Sequence, residues 1–220
     1  MNRARVSLLT VLAAAATVVL AGCTGAPATE SSEPPVSQTP STTPTPEVEA
    51  HLVVAIDGIS YVDASGTETA TYDEGAAVLE LLEKVTGDLP DPEPVEPLPG
   101  YDIDRELYTW DGMWVSVDAN LEAPVHLAVT GAEVDGIPVA SEEGLVVGST
   151  RQELMDANAW TLTDQEDATT TEYLGIGGEE VQGTESLSRP GSVGIVFVLY
   201  WLDGDVVKQI QAPANDFSDI

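Results

Sequence analysis

Hydrophobic positions along the chain fall into three regimes. From Val6 to Leu20 they run without a charge, and from Thr24 to about Glu49 they almost vanish among Ser, Thr, Pro and Glu. From about residue 50 onward they alternate or recur with the periods of strands and helices. Residues 51–56 and 59–62 predict two strands joined at Asp57-Gly58, a dipeptide suited to a hairpin turn because both positions tolerate positive φ. A helix is expected over 74–85, with Asp73 at its cap, Val78, Leu81, Leu82 and Val85 on one face, and Gly87 as its stop. The acidic stretch 89–100 holds five prolines, which bar a helix and a central strand. It reads as a stiff surface connection within one domain, because the halves on either side are too short to bury a core each.

Downstream, 106–117 and 125–130 predict strands, and Asp135-Gly136 a further turn. A second helix opens after Gly148-Ser149, where Thr150 and Glu153 have the spacing of a capping box. Residues 162–172 are polar and read as loop, 172–180 as a strand, and 193–202 with 206–210 as a hairpin around Asp203-Gly204. The run Ile195-Val196-Phe197-Val198-Leu199 predicts a central strand buried on both faces or nearly so. The expectation is one α+β domain over 50–220, with a mixed or mainly antiparallel sheet and two short helices.

The first regime has the parts of a secretory signal: basic Arg3 and Arg5, an apolar run of about 15 residues where a membrane span needs roughly 20, and small residues before a break. The break, Leu20-Ala21-Gly22-Cys23, resembles the lipobox of bacterial lipoproteins. That resemblance implies a signal peptide over 1–22, cleavage before Cys23, and diacylation of the Cys23 thiol, with the membrane as a partner through the lipid. Two acyl chains suffice for stable anchoring at about 0.8 kcal/mol per buried methylene. Residues 23–49 then form the lipidated cysteine and a disordered Ser/Thr/Pro-rich tether, able to reach on the order of 75 Å if extended at about 3.1 Å per residue.

Composition narrows the function. Acids number 38 against 7 Lys+Arg, a formal charge of −31, which excludes nucleic acid as a partner and repels anionic surfaces. The single cysteine allows no internal disulfide and no thiolate zinc site. An Ala-rich leader and an acid-rich, Lys-poor body resemble actinobacterial cell-envelope lipoproteins, which places the chain at the extracytoplasmic face of the cell membrane.

A weak internal repeat links Gly75-Ala76-Ala77-Val78-Leu79-Glu80-Leu81-Leu82 with Gly148-Ser149-Thr150-Arg151-Gln152-Glu153-Leu154-Met155. Each half later carries Tyr and Trp before an Asp-Gly turn: Tyr108-Thr109-Trp110-Asp111-Gly112 and Tyr200-Trp201-Leu202-Asp203-Gly204. Such a duplication predicts two helix-plus-meander units sharing one sheet. The layout resembles the tandem-repeat β-lactamase inhibitor proteins and the small lipoproteins of outer-membrane assembly machinery. What the resemblance implies is recognition of a protein by a sheet face.

Candidate chemistry is sparse. Ser60, Ser116 and Ser192 lack a motif around either histidine, His51 or His126, so no catalytic residue is assigned and the chain is expected not to be an enzyme. Asp102-x-Asp104 and Asp203-x-Asp205 have alternate spacing without the rest of a calcium loop, and read as turn residues; no metal or cofactor is assigned. Tyr108, Trp110 and Trp114 share one strand face unless Asp111-Gly112 turns the chain between them. They are either core or, if exposed, the best patch for binding a partner. The leading expectation is a non-enzymatic binding or accessory lipoprotein contacting an envelope protein; the alternatives are a solute-binding lipoprotein of a transport system or a wall hydrolase.

Overall fold

A computed structural model describes residues 48–96, 104–121 and 123–217. The first half runs β1 (His51–Val54), β2 (Gly58–Asp63), β3 (Gly66–Thr71), α1 (Gly75–Thr86), β4 (Glu93–Pro94), β5 (Arg105–Trp110), β6 (Met113–Asp118) and β7 (His126–Val129). The second runs β8 (Glu133–Val134), β9 (Ile137–Ser141), α2 (Arg151–Asp156), β10 (Trp160–Thr161), β11 (Tyr173–Glu180), β12 (Ile195–Asp203) and β13 (Val206–Asn215). These strands form two sheets, ordered β3-β2-β1-β9-β8 and β10-β11-β12-β13-β7-β6-β5-β4. The fold is β-rich, with two helices of 12 and 6 residues. Pairing is antiparallel throughout the named strands except for β1 against β9.

The strand order of the larger sheet has an internal symmetry. Each half contributes a helix followed by a four-stranded antiparallel meander, β4 to β7 and β10 to β13. The last strands of the two meanders join at the centre, with Ile210 opposite Val129, Gln211 opposite Ala128 and Ala212 opposite Leu127. The helix-plus-meander layout is therefore present, but the Tyr-Trp-Asp-Gly marks of the repeat do not coincide, since Asp111-Gly112 joins the second and third strands of its meander and Asp203-Gly204 the third and fourth, and β1–β3 with β8–β9 add a second sheet that the repeat does not foretell. Leu52, Val54 and Ile59 of the smaller sheet, Val78 and Leu82 of α1, and Val115, Tyr200 and Ile210 of the larger one belong to a single buried cluster.

Local chemistry explains most boundaries. At α2 both halves of the expected capping box form: Glu153 N–H donates to Thr150 Oγ1 at 3.3 Å, and Thr150 N–H to a Glu153 carboxylate oxygen at 2.7 Å. At α1 the cap falls on Glu74 rather than Asp73 and has no side-chain bond, while Gly87 stops the helix at φ 83° by donating its N–H to Glu83 O. Asp135 and Gly136, at φ 47° and 83°, make the expected turn.

Three expectations are corrected. Asp57-Gly58 is not the centre of the first turn, because Val54 pairs with Ile59 and Ala55 N–H donates to Gly58 O, placing Gly58 in β2. Glycine is needed there for close packing: a Cβ would stand 2.4 Å from Ala70 O. The stretch 106–117 is a hairpin and not one strand, since Trp110 pairs with Met113 around Asp111-Gly112. In β12, Phe197, under Trp160, and Val198 are buried on opposite faces, whereas Ile195, Val196 and Leu199 are half-buried, so the run is buried on both faces only at its middle. Proline in β4 is tolerated because that strand is at the sheet edge, pairing only with β5.

Candidate functional site

Alternation along the strands divides the larger sheet into a core face and an outer face. Tyr108 and Trp110 of β5, Val115 of β6, Leu127 of β7, Tyr200 and Leu202 of β12, and Ile210 of β13 all point to the core. The turn at Asp111-Gly112 then sets Trp114 opposite Thr109, on the outer face. The three aromatics Tyr108, Trp110 and Trp114 therefore do not share a face, which corrects the expectation of one patch. Trp110 is 5% exposed, its ring stacks on Tyr108 with centroids 6.4 Å apart, and its indole N–H donates to Asp88 O beyond α1. Burial, and then Glu106, raise the Tyr108 hydroxyl above its ordinary pKa, and that hydroxyl donates to Glu106 at 3.3 Å.

The outer face carries its own aromatic set. One cross-strand row runs Gly175, Leu199, Gln211, Ala128, Trp114 and Thr109 across six strands. The adjoining row contains Tyr173, Trp201 and Gln209. Tyr173 and Trp201 are 40% and 38% exposed, whereas Trp114 is half-buried. Three strand spacings separate Trp114 from Trp201, about 14 Å at roughly 4.8 Å each. At one end Trp160 lies over Gly175 and against Phe197, with ring centroids 4.9 Å apart. Its indole N–H donates to Gly177 O, and the Arg189 guanidinium sits 5.2 Å above its ring.

Charge is distributed unevenly around this face. In a chain with 38 acids, neither of these two rows contains a carboxylate, whereas the row beside them, Leu107, Ser116 and His126, begins at exposed Glu93 of the edge strand β4, and Asp118, Glu179, Glu180 and Asp203 stand at the ends of their strands. Arg105 is held down, donating from Nε to Ser116 Oγ at 2.8 Å and from Nη2 to the Ser116 and Pro124 carbonyls at 2.7 and 3.1 Å. Tyr173, Leu199 and Trp201 were not singled out as site residues from the sequence. The signal for Trp201 is the Tyr-Trp before Asp203-Gly204, whose exposed member only the register identifies; Tyr173 and Leu199 carry no such mark.

The other candidate residues fall apart as catalytic sets. Ser116 and His126 are cross-strand partners, yet no hydrogen bond joins them: Ser116 Oγ accepts from Arg105, and His126 Nδ1 lies 3.1 Å from Pro213 O. Burial, opposed by the Pro213 bond and aided by Arg105, holds the His126 pKa below its ordinary value. Ser60 Oγ is bonded to Thr69 Oγ1 at 2.7 Å, and His51 Nδ1 to Glu49 O at 2.8 Å. Ser192 is exposed, and Asp205 accepts from Arg151. Asp102 and Cys23 lie outside the described residues. Among the described residues, no group of three or more His, Cys, Asp or Glu could hold a metal, and no helix is long and apolar enough to cross a membrane.

Comparison of the chain with protein-family models, curated proteins and solved structures finds no match.

Proposed function

We propose that the chain is a lipid-anchored extracytoplasmic binding module, non-enzymatic, which contacts a protein of the cell envelope through the outer face of the eight-stranded sheet. The observation that carries this reading is the combination of exposed Trp201 and Tyr173 with half-buried Trp114 in two cross-strand rows that hold no carboxylate, in a strongly acidic protein. Aromatic side chains supply large contact area for little lost conformational entropy. Rows free of carboxylates can be covered without stripping water from unpaired charges. The anchor rests on Leu20-Ala21-Gly22-Cys23, and the standoff from the membrane on the Pro-rich segment that follows. The finer description of the fold, an α+β domain made by duplication of a helix-plus-meander unit, agrees with the two meanders meeting through β7 and β13.

The test is in-cell crosslinking with affinity capture of the full-length protein, beside a Trp114→Ala, Trp201→Ala double variant shown to fold. The expected result is one reproducible envelope protein captured by the parent chain and lost from the variant. Retention of the same protein by the folded double variant, or no captured protein in either form, overturns the reading.

A further inference from the structure

Away from the outer face, two cavities adjoin where the ends of the two sheets meet. The larger, about 530 Å³, is lined by the Asp57 turn, by Tyr72 and Asp73 between β3 and α1, and by Val196 and Pro213 of the larger sheet. The smaller, about 250 Å³, is lined by Val54, Ile176, Val198 and the carboxylate-bearing pair Glu142 and Glu143. Ile56 and Glu179 line both, so the two cavities adjoin at these side chains and together make a trough. A β-bulge between Ile176 and Glu179 makes this possible. Residues three apart on a regular strand face opposite ways, but the extra residue, with Gly177 and Gly178 at φ 74° and 149°, brings both to the same side.

The lining has a definite chemistry. Val54, Ile56, Ile176, Val196 and Val198 supply apolar surface, Asp57, Asp73, Glu142, Glu143 and Glu179 supply carboxylates, and no lysine or arginine lines either cavity. Arg105, behind Pro124, is turned onto Ser116 and the Pro124 carbonyl. We propose that this trough binds an extended peptide segment of a protein in which lysine or arginine alternates with apolar side chains. The size is that of ligand sites generally, about 300–1,000 Å³. Two adjoining cavities suit an extended chain, whose alternate side chains present one apolar and one cationic edge. Opposite charge is attracted and an anionic ligand repelled.

The probe is a capped hexapeptide alternating valine and lysine, titrated calorimetrically at low ionic strength against the intact folded protein. Two further peptides serve as controls, one alternating valine and glutamate, the other serine and lysine. The expected result is saturable one-to-one binding of the valine–lysine peptide, weaker binding of serine–lysine, and none of valine–glutamate. An Asp57→Asn, Asp73→Asn, Glu179→Gln triple variant is expected to weaken binding about tenfold. An Asp91→Asn, Glu93→Gln, Asp203→Asn variant, which removes the same charge from carboxylates lining neither cavity, should change it less than twofold, as should Trp114→Ala with Trp201→Ala. Equal weakening by the two triple variants, equal affinity for the serine–lysine peptide, or no saturable binding overturns the proposal.

Discussion

Arg151, the first residue of α2, donates from Nε to Asp205 Oδ1 at 2.8 Å and so ties that helix to the β12–β13 turn. The same guanidinium reaches Gly204 O at 2.6 Å and Ala168 O and Thr171 O at 2.9 Å, which fixes the polar loop after β10. The pair is lopsided: the Arg151 side chain is 10% exposed and that of Asp205 is 82% exposed. Arg151→Ala strands three carbonyls and is expected to lower stability by about 2–4 kcal/mol. Asp205→Asn, at a solvated partner, is expected to lower it by less than about 1 kcal/mol. Urea denaturation of the two variants checks the asymmetry, and equal losses would contradict it.

The two Asp-Gly turns of the larger sheet differ in what surrounds the glycine. Gly112 is at φ 86° with Glu133 O 2.0 Å from where a Cβ would sit, whereas Gly204 is at φ 62° with nothing within 4 Å. Gly204→Ala therefore incurs only backbone strain, about 1 kcal/mol. Gly112→Ala must also push β8 away, and its expected loss is at least twice as large. Thermal melts of the two single variants measure the difference.

The tryptophans separate core from surface. Trp110→Ala is expected to lower stability by about 3–5 kcal/mol, because it empties a buried site in the core cluster. Trp201→Ala, more than a third exposed, should lower it by less than about 1 kcal/mol while removing contact with the captured protein. Denaturation curves combined with capture yield would expose the reverse pattern at once.

Alkaline pH should weaken the fold through two tyrosines. Burial, with Asp57 adding to it at Tyr72, and with Glu143 partly countered by Ser141 at Tyr200, raises both phenols far above their ordinary value of 10.0. Below pH 10 both folded and unfolded phenols stay protonated and stability is retained. Above it the unfolded chain ionises first and unfolding becomes more favourable, by about 1.4 kcal/mol per pH unit for each tyrosine. Stability measured from pH 9 to 11 should fall with a shallower slope in Tyr200→Phe than in the parent.

Cys23→Ser removes the thiol that the proposed lipidation requires. The variant is expected in the soluble fraction after cell breakage, with the parent chain in the membrane fraction. Continued membrane association of the variant would require another mode of attachment.

Features set by neighbouring residues were legible in the sequence. The capping box of Thr150 and Glu153, the stop at Gly87, the turn at Asp135-Gly136 and the absence of helix from described residues 89–96 of the Pro-rich stretch each follow from one local hydrogen-bonding or steric demand, whereas the short edge strand β4 within that stretch does not. The acid excess and Leu20-Ala21-Gly22-Cys23 are likewise properties of the sequence itself. Only the tertiary structure decided what register and long-range pairing control. The turn after Trp110 sent Trp114 to the opposite face, and Gly58 entered a strand because Val54 pairs with Ile59, its missing Cβ leaving room for Ala70 O. The parallel pairing of β1 with β9, more than 80 residues apart, created the second sheet and with it the trough. A one-residue shift reverses every side chain on a strand. Periodicity therefore predicts a two-sided strand, while the partners met in three dimensions decide which side meets solvent.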